Sequence, residues 1–192
     1  LTAFGNTIAA SHLRLVPGQE SPTKLFWSDF NRAALIRVPL GWRHSEDMAS
    51  VINHRLKDRY ISPFKRQTIE LRSADGSAFI HLLLAGMTMA IQYGLDHGAV
   101  SLKLANKRRI HQDEEVSKDI PELPPSCFQS AQYLREEAEL YTSLIPAYIV
   151  DHVCELLEAE DDEKLSAELR KLSKEKSLRR VQEIMHRSIH VG

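Results

Sequence analysis

Residues 65–75, KRQTIELRSAD, hold the chain's densest grouping of groups able to do chemistry. Ile69 and Leu71 alternate with Thr68, Glu70 and Arg72. In an extended strand this period of two puts Arg66, Thr68, Glu70 and Arg72 on one face and turns Ile69 and Leu71 towards a core. A carboxylate set between guanidinium groups suits a site for a metal ion and an anion. A surface strand with solvated charges accounts for the same stretch, and both readings stand at this point.

Three more arginines occupy conspicuous places. Arg14 precedes a Pro-Gly loop, Arg32 stands at a turn and Arg37 lies in a predicted strand. Arginine clamps phosphate or carboxylate with two parallel hydrogen bonds. Several converging arginines would suit phosphoryl transfer, in which positioning and charge neutralisation do most of the catalysis. The sequence has no P-loop, no GxGxxG, no kinase signature and no defensible Ser/His/Asp order. No Cys/His spacing matches a zinc site. The residues by themselves lead to an anion site on a small sheet.

The elements that must position these groups can be read in order. Residues 1–15 end as a helix tail, and RLVPGQESP forms a loop. Short strands are predicted at 25–28 and 33–38, joined by a turn at 28–31, with Arg37 opposite Ile36 and Val38. Residues 43–60 repeat Met48, Val51, Ile52 and Leu56 at helical spacing and form an excursion that Pro63 stops. The 65–73 strand follows. Ser77 is placed to cap a helix running to about residue 96, apolar nearly all round and so expected to be buried. Residues 100–125 read as a connecting loop. Helices are then predicted at 127–140, 143–158 and 161–189. The last carries a stripe of Leu165, Leu169, Leu172, Val181 and Met185, with acidic residues at its start and basic ones later, as the helix dipole favours. A solvated helix packing on a partner is the favoured reading of it over a nucleic-acid role.

Composition narrows the function classes. The 192 residues are 43% hydrophobic, enough for a core, and carry a net charge of −1. No global field for nucleic acid or membrane exists, and neither partner is expected. The charge is uneven: residues 1–75 carry a net +4 and the remainder −5, which puts an anion site in the first part. Two cysteines make no framework and suit a cytoplasmic setting. The most apolar stretch, 79–95, is short and interrupted for a membrane span. The first residue is Leu1 rather than methionine, so a fragment of a larger protein is expected.

The order RLVPGQE, NRxxxIRVP and IELRSADGSA resembles the C-terminal part of the catalytic domain of glutamine synthetases. Six residues separate Arg14 from Glu20, eighteen separate Arg14 from Arg32, and twenty-three separate Arg14 from Arg37. The family's usual forms are RLVPGxE, NRxxxxRxP and a late ExR strand. The firm resemblance covers about residues 10–96, and a weaker one reaches about 160.

The resemblance implies an ATP-dependent glutamate–ammonia ligase that forms glutamine through a γ-glutamyl phosphate, with Mg²⁺ or Mn²⁺. It implies that Arg14 and Arg72 bind glutamate, that Glu20 is the flap carboxylate and that Arg32 steadies the transferring phosphoryl group. It further implies that Arg37 contacts the nucleotide and that Glu70 binds metal. Arg66 is offered as a partial substitute for an arginine that the family has at the position of Thr68. Other departures are Phe79-Ile80 where the family often has Asn-Pro, a longer stretch at 43–62, and a last helix beyond the family's usual end.

The family's other metal-binding carboxylates precede the region matched here, so this piece alone is expected to be inactive. The full-length protein is expected to be a homo-oligomer. The expected fold is α+β, with a small antiparallel sheet, a buried helix and a helical C-terminal section. The expected division is 1–100 for the catalytic-domain part and 101–192 for the helical section. A ligase using another amine, and a non-catalytic relative serving assembly or regulation, are the alternatives.

Overall fold

The structure is a computed structural model and describes residues 1–15, 21–39, 52–55, 68–111 and 114–189. Most of the predicted 43–60 excursion, the start of the 65–73 strand, Glu20 and Arg66 lie outside the described residues.

Two short helices open the chain, α1 (Thr2–Gly5) and α2 (Ala9–Arg14). Three strands follow: β1 (Lys24–Asp29), β2 (Ala34–Val38) and β3 (Glu70–Leu71), in the order β1-β2-β3. The remaining elements are helices. They are α3 (Ile80–Asp96), α4 (Gly98–Lys107), α5 (Cys127–Glu136), α6 (Ala138–Tyr141), α7 (Ala147–Glu158), α8 (Leu165–Lys171) and α9 (Lys174–Ser188). The class is α+β, as expected.

The sheet is mixed rather than antiparallel. β2 and β3 are antiparallel, with Arg37 opposite Glu70 and Ile36 opposite Leu71. β1 and β2 run parallel, from Lys24 beside Ala34 to Asp29 beside Val38. A parallel pair ordinarily needs a long crossover, and here residues 30–33 suffice. Phe30 takes a left-handed backbone (φ 67°), Asn31 Oδ1 accepts the Ala33 amide at 2.8 Å, and the chain returns beside the start of β1. The register slips between Lys24 and Trp27.

The free side of β1 is covered by the segment expected to be a simple loop. Residues 100–107 are helical, and residues 108–110 and 121–123 run along β1. Trp27 donates its amide to the Arg108 carbonyl at 3.0 Å, and Leu25 donates to Pro121 at 2.8 Å. Trp27 Nε1 also donates to the Ala105 carbonyl at 2.7 Å. Backbone pairing, rather than apolar periodicity, orders this polar stretch, so the sequence pattern carried no sign of it.

The main core joins α1 to α5 and α7. Phe4, Cys127, Ala131, Leu134, Val150, Val153, Cys154 and Leu157 are buried together with Leu83 of α3. Phe4 meets Tyr141 edge-on, centroids 5.4 Å apart. The start of α5 is capped twice. Ser126 Oγ accepts the Gln129 amide at 3.1 Å, and the buried Asp162 carboxylate accepts the amides of Cys127 (2.8 Å) and Phe128 (3.1 Å). An anion at a helix N-terminus satisfies donors that the helix cannot. Burial and that carboxylate push the Cys127 thiol well above its ordinary range, which makes it a structural side chain.

Two further expectations are corrected. α3 is not buried all round: Leu83 and Gly86 are buried, while Ile80, Leu84, Ile91 and Leu95 are 56–73% exposed. Among the described residues its main helix contacts are with α1 and its own continuation α4, and one narrow stripe is covered. Gly86 belongs to that stripe, because a Cβ there would stand 2.8 Å from Leu1 Cδ2. The predicted 161–189 helix is two helices. Leu172 (ψ 153°) and Ser173 (ψ 154°) are extended, and the chain turns between α8 and α9.

Candidate functional site

β3 and the turn after it gather the arginines. Its pairing with β2 sets Glu70 beside Arg37, and Arg37 Nε and Nη2 both donate to Glu70 Oε2, at 2.8 and 2.7 Å. One residue on, Arg72 donates its amide to the Leu35 carbonyl at 2.9 Å and its Nη1 to the Ala34 carbonyl at 3.4 Å. Arg14 arrives from the other side: its Nη2 donates to the Ser73 carbonyl and, at 3.5 Å, to that of Ala74. Arg14, Arg37, Glu70 and Arg72 are thereby joined to one strand and the turn that ends it. Arg32 is exposed in the turn between β1 and β2. Glu20 and Arg66 fall among the residues outside the description.

The expected alternation on the 65–73 strand holds only in part. Leu71 packs against the core, but Ile69 is 72% exposed. Among the described residues the strand is only Glu70–Leu71, and the Arg72 amide still donates to the Leu35 carbonyl of β2 just past its end.

The residues that hold Arg14 escaped the sequence reading. Ser77 does not cap α3, whose N-cap is Phe79 with no side-chain bond. Instead its Oγ donates to Asp75 Oδ1 at 2.7 Å, accepts the Thr7 amide at 3.0 Å and lies 3.1 Å from Ser11 Oγ on α2. Asn6 Nδ2 donates to the Ser73 carbonyl at 2.7 Å, the same oxygen that receives Arg14. Burial works to raise the Asp75 carboxyl, but the hydrogen bonds from Ser77 and Ser11 and the charge of Arg14 outweigh it and hold the group below its ordinary value. The ADGS run after ELR was the available signal: an Asp two residues before a Ser often closes its own turn.

Behind Arg14 on α2, His12 is buried, with Nδ1 at 3.2 Å from the Pro124 carbonyl. Burial lowers its basicity despite the pull of Asp162 and Asp75. A cleft lined by Leu1, Leu25, Pro121, Tyr133 and Glu137 contains none of the arginines and plays no part in this site.

The resemblance implies a divalent metal, which takes oxygen donors. Glu70 is a hard oxygen donor, but Arg37 already occupies its Oε2, and no group of three His, Cys, Asp or Glu side chains gathers among the described residues. A divalent cation wants six or more oxygens, so these residues supply at most one ligand and do not form a metal site. Arg14, Arg37 and Arg72 carry guanidinium groups, whose chemistry suits an anion with spread charge.

The family model described as glutamine synthetase, catalytic domain, matches residues 1–175. Among curated proteins, the chain is 34% identical over 125 residues to a glutamine synthetase of Methylococcus capsulatus, covering 65% of this chain and 20% of that one. It is 33% identical over 125 residues to one of Mycobacterium tuberculosis, with the same coverage. It is 29% identical over 150 residues to one of Pyrococcus abyssi, covering 77% of this chain and 29% of that one. The chain belongs to the glutamine synthetase family. Its matched part spans less than a third of the length of these relatives.

Proposed function

We propose that the full-length protein is an ATP-dependent glutamate–ammonia ligase, acting in the cytoplasm as a homo-oligomer. The observation that carries the reading is the convergence of Arg14, Arg37, Glu70 and Arg72 on β3 and its turn. These motif residues are separated by up to 58 positions in sequence. In this reading the glutamate γ-carboxylate oxygen attacks the terminal phosphorus of ATP and ADP leaves. Ammonia then attacks the acyl carbon, and phosphate leaves with the electrons of the C–O bond.

Arg14 and Arg72 orient the glutamate by its carboxylates. Arg37 contacts the nucleotide, and Arg32 neutralises the charge that spreads over the transferring phosphoryl group. Glu20 closes the site as flap carboxylate and takes a proton from ammonium. Arg66 assists at the nucleotide where Thr68 replaces the family's arginine. Glu70 would be one ligand of a bound Mg²⁺ or Mn²⁺, with the other ligands from outside the described residues, and the ion would supply neutralisation of phosphate charge. The exposed apolar side of α3 and α4 supports this view of an incomplete site. Ile80, Leu84, Ile91, Leu95, Leu102 and Leu104 form a surface that further protein would cover.

The test is γ-glutamyl hydroxamate formation by the full-length protein with glutamate, hydroxylamine, ATP and Mg²⁺ or Mn²⁺. Product that requires all of these supports the reading, and none overturns it. Arg32→Ala should lower turnover about a hundredfold or more with little change in nucleotide binding. The 192-residue chain alone should make no product. Competition between ammonia and other amines identifies the nitrogen donor.

One observation favours a second reading. Thr68 stands exposed where the family has an arginine, which weakens phosphate binding and suits a non-catalytic relative. That reading expects no metal-dependent phosphate release from ATP and glutamate.

A further inference from the structure

We propose that α9 is a brace for α2, added beyond the part shared with the family, and that it sets how firmly Arg14 is held for the glutamate carboxylate. The match to the catalytic domain ends at residue 175, and α9 spans Lys174–Ser188. The functional half of the proposal rests on the assignment of Arg14 above.

α2 has only six residues, too few to persist as a helix without tertiary support. Besides the His12 and Arg14 hydrogen bonds already described, three contacts hold it. Glu160 Oε2 accepts the Ala9 amide at 2.7 Å and holds the helix start. Ser11 meets Ser77 in the polar knot under its middle. Its flank is packed by α9. The half-buried residues of α9 are Ser177, Val181, Ile184 and Ser188, spaced four, three and four, which is one stripe of a helix. The other positions of α9 are exposed.

The break at Leu172 and Ser173 makes this packing available. An unbroken helix from residue 165 would have carried Val181 and Ile184 away along the axis of α8. The extended pair turns the chain instead, and α9 also packs on α8. Arg14 is the last residue of α2, so any loosening of the helix is passed to its guanidinium. A binding group that must first be ordered costs affinity, and a brace removes that cost.

The experiment uses the full-length protein and the double substitution Val181→Asp with Ile184→Asp. Hydrogen exchange of the amides in Ala9–Leu15 should quicken about tenfold, while α5 and α7 keep their protection. The KM for glutamate should rise about tenfold, with kcat and the KM for ATP within about twofold of the parent. The apolar substitution Ile184→Leu, which conserves volume, should leave both near the parent's values. Ile184→Ala, a milder change that leaves folding less in question, should move both readouts in the same direction by about threefold.

Unchanged exchange in α2 overturns the brace. Faster exchange with an unchanged glutamate KM overturns the link to Arg14. Faster exchange in a protein that makes no product in any form supports the brace and overturns the ligase reading instead.

Discussion

Phe4, Val150, Cys154 and Leu157 are at most 1% exposed, whereas Ile36, Ile69 and Ile80, which flank the arginines, are 40, 72 and 59% exposed. The first group lies where α1, α5 and α7 close on one another. The second lies around β3, which among the described residues has two residues and one partner strand. The helical region closes a core of its own and caps the start of α5, although Leu140, Leu144 and Tyr148 on its outer side stay exposed. The arginine region is anchored by hydrogen bonds and ion pairs and leaves apolar side chains uncovered. A catalytic surface assembled from distant pieces of chain has this character, because its groups are placed by neighbours rather than by a core of their own.

The contrast can be broken first at its strongest point. Phe4→Ala should cost about 3–5 kcal/mol in denaturant unfolding, because it empties a fully buried ring site between α1, α3 and Tyr141. A loss under 1 kcal/mol would mean that the helical region is not the closed core described. Asp162→Ala should follow with about 2 kcal/mol, since two α5 amides lose their acceptor together.

A smaller effect appears with pH. His12 titrates below its ordinary value of 6.5 in the folded chain because it is buried, so the unfolded chain takes up the proton first as pH falls. Its contribution to stability is fully present above about pH 6.5 and is lost as pH falls from there towards the lower folded value. His12→Gln should flatten stability between pH 7 and 5, a window above the carboxylates. An unaltered slope would remove His12 as its source.

The smallest stability effect is expected at the site itself. Arg37 and Glu70 are 23% and 37% exposed, so solvent screens their pair, and Glu70→Gln should cost less than about 1 kcal/mol. In the full-length protein the same substitution should abolish metal-dependent hydroxamate formation. A large stability loss with retained activity would reverse the comparison, making Glu70 a structural residue.

Periodicity and turn residues located α2, β1, β2, α5 and α7 to within a few positions, because each is a local pattern of apolar spacing or capping. The same approach failed at α3. Its all-round apolar character says that something should cover it, and only the packing shows that the described chain covers one stripe. It failed again at 161–189, where an apolar stripe ran straight through a break set by two extended residues. It missed the knot of Asn6, Ser11, Asp75 and Ser77, whose members are short polar residues that look like any turn.

The sequence by itself determined which side chains have the chemistry for an anion or a metal and in what order: Arg14, Arg32, Arg37 and Arg72 for the anion, Glu70 for the metal. It also set the α+β class. Only the tertiary structure decided that Glu70 pairs with Arg37, that Arg14 is tied to the Ser73 carbonyl, and that α9 lies on α2. Those contacts join residues 33 to more than 150 positions apart. Such pairings depend on strand register and on which helix faces remain uncovered, and neither is written in any local stretch of chain.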